Sequence, residues 1–174
     1  KAIKRHDASA LNMAMEEADV PWDAKWLTVV LKELRNAHGN LNLSFQVVDW
    51  CVALKGVTPT VITYSVLISA CAKARQSNRA FQVLADMRRE GVAPDVITYT
   101  ALINACEKAG ESDRAFEVFE GMRRKGVAPT VITYSALISA CAKAGESDRA
   151  FEVYEDMRRE GVAPDVITYG ALIN

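Results

Sequence analysis

No run of eighteen apolar residues occurs in the sequence, so no segment is suited to crossing a bilayer as a helix, and no membrane association is expected. Histidine is scarce: His6 and His38 stand without a paired nucleophile or metal-ligand spacing. A glycine-rich phosphate loop is also missing, and the acidic residues are scattered. These absences give catalysis no support, and neither a metal nor a cofactor is expected. The four cysteines, Cys51, Cys71, Cys106 and Cys141, form no C-x-x-C pair. The last three recur every 35 residues, one per unit, and so do not converge as zinc ligands must. They read as small, reduced core hydrophobes, suited to an intracellular or organelle-matrix setting. Charge of one sign is lacking as well, with 21 Lys and Arg against 22 Asp and Glu. No overall basic character marks a nucleic-acid partner, although a stripe of lysines can act locally. The opening KAIKRHDASALNMAMEEADVP is broken by acids and lacks the apolar block of a secretory signal.

What the chain does contain is repetition. VITY occurs four times, at residues 61–64, 96–99, 131–134 and 166–169, and Pro59, Pro94, Pro129 and Pro164 keep the same 35-residue period. The units span 61–95, 96–130 and 131–165, followed by a fragment, 166–174.

Each unit encodes two helices. Tyr64, Leu67, Ile68 and Cys71 are spaced i, i+3, i+4, i+7, an apolar stripe of helical period. Gly110 and Gly145 suit the C-terminus of this first helix, whereas Arg75 takes the same place in the first copy. A second helix is expected to start near Ser112 or Ser147 as N-caps. Its stripe is Ala115, Phe116, Val118, Phe119 and Met122, and it ends at Gly126 after basic residues. The proline of G-V-A-P then breaks the helix. Hairpins of this size bury their faces only by stacking on one another. The fold class expected is all-α, a right-handed α-solenoid of stacked helix–turn–helix repeats.

At about 100° per residue, Tyr64, Leu67, Ile68 and Cys71 face the hairpin core. Ile62, Ser65 and Lys73 share the opposite face, as do Ile97, Thr100 and Lys108, and then Ile132, Ser135 and Lys143. On this reading the residue after VITY points outward and is free to vary because the fold does not need it. The tyrosines are core. Arg88-Arg89, Arg123-Arg124 and Arg158-Arg159 fit favourable interaction with the helix dipole. Asp95 and Asp165, like Thr60 and Thr130, stand where an N-cap is expected.

The unit V-I-T-Y-S-A-L-I-S-A-C-A-K-A-G…A-F-E-V-Y-E-D-M-R-R-E-G-V-A-P-D closely resembles the P-type pentatricopeptide repeat over residues 61–174. The resemblance implies binding of single-stranded RNA, one base per repeat. It pairs the residue after the tyrosine with the last of the repeat as base readers: Ser65 with Asp95, Thr100 with Thr130, Ser135 with Asp165. Ile62, Ile97 and Ile132 would pack on bases, and Lys73, Lys108 and Lys143 would lie near phosphates. An aspartate only accepts hydrogen bonds and so favours donor edges such as that of guanine. The implied preference is G-purine-G, 5′ to 3′ along the chain. Gly170 offers nothing to read with.

Before residue 61 the pattern weakens. Residues 25–60 align as a degenerate hairpin repeat with one inserted residue, putting Trp26 at the packing position, Val29 at the reading position and Ala37 at the lysine position. This hairpin is expected to cap the solenoid without specifying a base, after a 1–24 segment with a helix over 8–18. An organelle matrix, chloroplast or mitochondrion, is what the resemblance implies for location. A protein-interaction scaffold is the competing function. Tyr169, Leu172 and Ile173 of the last fragment, without a covering helix, also suggest self-association.

Overall fold

The computed structural model describes residues 23–37 and 41–173. The expected 8–18 helix, nearly all of the 1–24 segment, His6, His38, Gly39 and Asn174 lie outside the described residues. Nine helices run along the described chain: α1 (Ala24–Ala37), α2 (Leu41–Lys55), α3 (Val61–Lys73), α4 (Ser77–Arg89), α5 (Val96–Ala109), α6 (Ser112–Arg124), α7 (Val131–Lys143), α8 (Ser147–Arg159) and α9 (Val166–Ile173). Among the described residues there is no strand, and no helix is long and apolar enough to cross a membrane. The molecule is an all-α repeat solenoid.

The repeated start of each first helix has a local cause. Asp95 adopts extended backbone, and its side chain accepts from the Thr98 amide at 2.8 Å. Thr98 reaches back toward the Asp95 amide, completing a capping box. Thr60 with Thr63 and Thr130 with Thr133 form the same box from hydroxyls alone. At the other end Gly110 takes the left-handed conformation, φ 75°, and the Glu111 amide closes on Cys106 O. Arg75 occupies the same conformation, φ 55°, with a side chain that disfavours it.

The second helices begin differently from expectation. Ser112 is the first helical residue of α6, not its cap; Glu111 holds the cap position and makes no side-chain capping bond. The Ser112 hydroxyl instead donates to Glu146 of the next unit at 2.9 Å, as Ser77 donates to Glu111. These serines join units rather than start helices.

First helices stack on first helices, α1 on α3, α3 on α5, α5 on α7 and α7 on α9, while each second helix packs under its own first helix. Tyr134, Leu102, Ile103, Leu137, Ile138, Met122 and Met157 are fully buried between the layers. Each such side chain contributes about 1.5–3 kcal/mol of transfer free energy. Cys51, Cys71, Cys106 and Cys141 lie in the same core as free thiols, and burial pushes each up to about 11.

The second helices are fastened by arginines that reach back one unit. Arg79, Arg114 and Arg149 place their guanidinium carbons 3.9, 4.1 and 4.0 Å from the ring centroids of Phe45, Phe81 and Phe116. Each also donates to a residue near the start of the preceding second helix: Asn42, Asn78 or Asp113, at 2.8–2.9 Å. Phe151, with no such arginine over it, is 55% exposed.

The hairpin α1–α2 continues this stack, but its register differs from the one the alignment suggested. Asp23 accepts from the Trp26 amide at 2.7 Å and so caps α1 as Asp95 caps α5. Counting from that cap, Thr28, not Val29, is equivalent to Ser65. Both hydroxyls donate to the carbonyl four residues earlier at 2.8 Å, and Leu27, Leu31 and Leu34 are buried as Tyr64, Ile68 and Cys71 are. Lys25 and Asn36, rather than Trp26 and Ala37, then correspond to Ile62 and Lys73. The unit carries two extra residues, one more than the alignment allowed.

Candidate nucleic-acid interface

One surface of the stack is built from the first helices. Ile62, Ile97, Ile132 and Ile167 stand exposed along it at one equivalent position per unit. An aligned row of apolar side chains left in solvent is the kind of surface that marks a contact site, since the same side chains stabilise when buried. Between the isoleucines lie clefts. One, of about 190 Å³, is lined by Ile62 and Ile97 with Ser65, Val66, Ser69 and Asp95. Another, of about 200 Å³, is lined by Ile132 and Ile167 with Ser135, Ala136 and Ser139. Isoleucine walls and a hydroxyl floor recur in both.

The hydroxyl floor corrects the sequence reading. Ser65, Thr100 and Ser135 are not outward and free: they are 5, 9 and 4% exposed. Ser65 Oγ lies 2.9 Å from Thr98 Oγ1, Thr100 Oγ1 2.8 Å from Thr133 Oγ1, and Ser135 Oγ 2.8 Å from Thr168 Oγ1. A helical wheel sets a residue against its hairpin partner only. Here a second neighbour, the next first helix, covers that side. The fold therefore does use these hydroxyls, and Ser65 and Ser135 still line the clefts beside them.

Asp95, Thr130 and Asp165 all sit at N-caps, within hydrogen-bonding distance of those same threonines. Hydrogen bonds from the backbone and side chain of Thr168 hold the Asp165 carboxyl below the usual carboxylate range. The structure thus brings Ser65 with Asp95, Thr100 with Thr130 and Ser135 with Asp165 into three small networks, each joined by a threonine of the next VITY. That joining threonine is not among the residues the sequence pointed to; its invariance in VITY was the available signal.

The lysines differ from one another. Lys73 and Lys108 are exposed, and Lys73 Nζ lies 3.4 Å from the Arg35 carbonyl. Lys143 is ion-paired with Glu107, which also accepts from Ser139 at 3.0 Å. Glu107 stands where the neighbouring units have Ala72 and Ala142. The two clefts consequently differ in charge: Lys32 and Arg35 border the first, and Asn104 and Glu107 the second.

Other polar groups are committed to packing. Tyr64, Tyr99 and Tyr134 are buried, and burial, with Asp156 beside it, pushes Tyr134 up to about 12. Arg123 bonds Asp156 and Glu160 of the next unit at 2.8 and 3.0 Å, and Arg89 bonds Asp86 at 2.8 Å. No cluster of metal-ligating side chains occurs among the described residues.

Comparisons with known proteins match this architecture. The profile of the pentatricopeptide repeat domain fits residues 28–74, 46–106, 82–144 and 131–174. No protein with a curated description matches by sequence. Among solved structures, the pentatricopeptide repeat protein PPR10 in complex with an 18-nt psaJ RNA element superimposes with a TM-score of 0.81 at 31% identity, over 98% of this chain. PPR10 from maize, in a further crystal structure, gives 0.77 at the same identity. The chain spans 25% of the PPR10 chain. The pentatricopeptide repeat domain of Arabidopsis thaliana protein-only RNase P 1, in complex with tRNA, shares the fold: TM-score 0.72, 22% identity, 86% of this chain and 78% of that one. Its period, its stacked hairpins and these matches make the chain a member of the pentatricopeptide repeat family.

Proposed function

We propose that the chain binds single-stranded RNA along the isoleucine-lined surface, one base per cleft, and does not act as an enzyme. The observation that carries this is one geometry found at two places along the stack: two exposed isoleucines facing across a cleft with a serine hydroxyl at its floor, joined in the first by the cap residue Asp95. A planar base fits between apolar walls and leaves its edge to the polar floor. PPR10, a quarter of which this chain matches over 98% of its own length, has been solved with RNA.

The roles follow from position. Ile62, Ile97 and Ile132 pack on bases. Ser65 with Asp95 and Ser135 with Asp165 offer acceptors and favour guanine; Thr100 with Thr130 accepts a purine with less discrimination. The order is G-purine-G, 5′ to 3′ from the N-terminal side. Thr28 and Thr60 repeat the threonine pair, but with Lys25 in the packing place, so that unit adds backbone attraction rather than base choice. Lys73 and Lys108 lie near phosphates; Lys143 does so only in competition with Glu107. On family membership we place this activity in an organelle matrix, chloroplast or mitochondrion.

Binding to a panel of short single-stranded RNAs, varied at three adjacent positions, tests the reading. Guanine at the outer two is expected to win, and Asp95→Asn is expected to move the first preference toward adenine. Equal binding to every member, unchanged by that substitution, would sink the readout and leave the scaffold function. The exposed Val166, Ile167, Tyr169 and Ile173 of α9 support a second reading, contact between two copies through this helix. A monomer at high concentration in sedimentation equilibrium would remove it.

A further inference from the structure

We propose that Thr168, the threonine of the last VITY, is a specificity-positioning residue for the base held by the preceding repeat, whereas the Val61 carbonyl makes Thr98 redundant in that role at the first seam. Thr168 would set the direction of the buried reading hydroxyl on instruction from the residue that ends that repeat. The inference rests on the RNA reading above.

The argument is a count of protons. A threonine hydroxyl has one proton to donate and two lone pairs, while a carboxylate only accepts. Thr168 Oγ1 donates to Asp165 Oδ1 at 2.9 Å, and that charge-assisted bond has first claim on its proton. The Asp165 amide donates to the same oxygen at 3.2 Å. The remaining contact, 2.8 Å to Ser135 Oγ, therefore requires the serine's proton. Ser135 is turned so that its proton faces the helix interface, and only a lone pair remains for the cleft. A base edge that brings a donor is accepted there, and one that brings only an acceptor is not.

The same constraint acts at Ser65 with an additional partner. Thr98 gives its proton to Asp95 Oδ1 at 2.8 Å. Ser65 Oγ then lies 2.9 Å from Thr98 Oγ1 and 2.8 Å from the Val61 carbonyl, and both sites call on its one proton. Neither choice leaves a proton for the cleft. At the middle seam no carboxylate is present. Thr130, Thr133 and Thr100 form a row of hydroxyls at 3.2 and 2.8 Å, and the row can run in either direction. Thr100 can thus present a proton or a lone pair, so this unit discriminates less. Asp165, at the end of its repeat, acts on the base partly through an intermediary in the following one.

Thr168→Val keeps the shape and removes the relay. The guanine preference at the third RNA position is expected to fall about tenfold, the scale of one hydrogen bond, with the first position unaffected. Thr168→Ser is expected to restore it. Thr98→Val is expected to keep the first-position preference within about twofold, because the Val61 carbonyl still takes the Ser65 proton. A purely structural threonine would give the reverse ranking, since Thr98 lies at an interior seam. Undiminished third-position preference in folded Thr168→Val, or equal losses in both valine variants, overturns the relay. If Thr168→Val does not fold, Thr168→Ala carries the same expectations. Absence of any preference in the unaltered protein overturns the base reading itself and the relay with it, which separates the two failures.

Discussion

The guanidinium of Arg114 sits 4.1 Å from the centre of the Phe81 ring, which belongs to the preceding unit, while it donates to Glu111 at 2.7 Å in its own unit. One side chain therefore ties two hairpins together and covers an aromatic ring that is bare at the equivalent Phe151. Arg114→Ala removes the cation–π contact and the cover together. A loss of about 1–2 kcal/mol is expected in urea unfolding, with Arg114→Lys recovering only part, because lysine lacks the planar group that stacks and bonds at once. A change within error would show the contact to be incidental.

Arg75 offers a gain. Its left-handed backbone costs a residue with a Cβ about 1–2 kcal/mol, partly offset in a glycine variant by that residue's freedom in the unfolded chain. Arg75→Gly is expected to raise stability by about 0.5–1 kcal/mol, measured as a higher urea midpoint at unchanged slope. A lower midpoint would mean that the arginine side chain contributes more than its backbone costs.

Glu107 bears on the proposed RNA contact. While it holds Lys143, that lysine is drawn away from phosphate. Glu107→Ala is expected to tighten binding and to steepen the log–log salt dependence by about 0.7, one added phosphate on a single strand. Titrations at several salt concentrations read this directly; an unchanged slope would place Lys143 off the RNA path.

The buried thiols set an alkaline limit. Cys71, Cys106 and Cys141 ordinarily ionise near 9 and are raised to about 11. The stabilisation this represents is complete below the unfolded value and is lost as pH rises from about 9 through about 11. At pH 8 the folded thiolate fraction is roughly one in a thousand, so alkylation is expected to be slow until denaturant exposes all the thiols. Rapid modification of the folded protein would contradict the burial.

Much of this was legible in the sequence, for a physical reason. Tyr64, Leu67, Ile68 and Cys71 mark a buried stripe because a helix with one apolar side can only be read one way. The exposed isoleucines were equally plain. Ser65 was not, because its burial is decided by a helix about thirty residues further on, and a wheel drawn for one helix has no place for it. The first unit misled for another reason: its alignment was anchored downstream, on residues 39–45 and GVTP, whereas the Asp23 cap, a hydrogen-bond feature at the start of the helix, fixes the register one residue earlier. Ser112 looked like a cap because serine caps many helices; only the position of Glu146 in the next unit shows where its proton goes.

The backward reach of Arg79, Arg114 and Arg149 has a consequence for how such a chain can change. Every seam offers a phenylalanine on one side and an arginine on the other. Excising one whole 35-residue cassette would bring together two surfaces already shaped for each other. An excision that is not a whole number of cassettes would not. Gain or loss of units is therefore mechanically cheap, provided the edit is made in whole words.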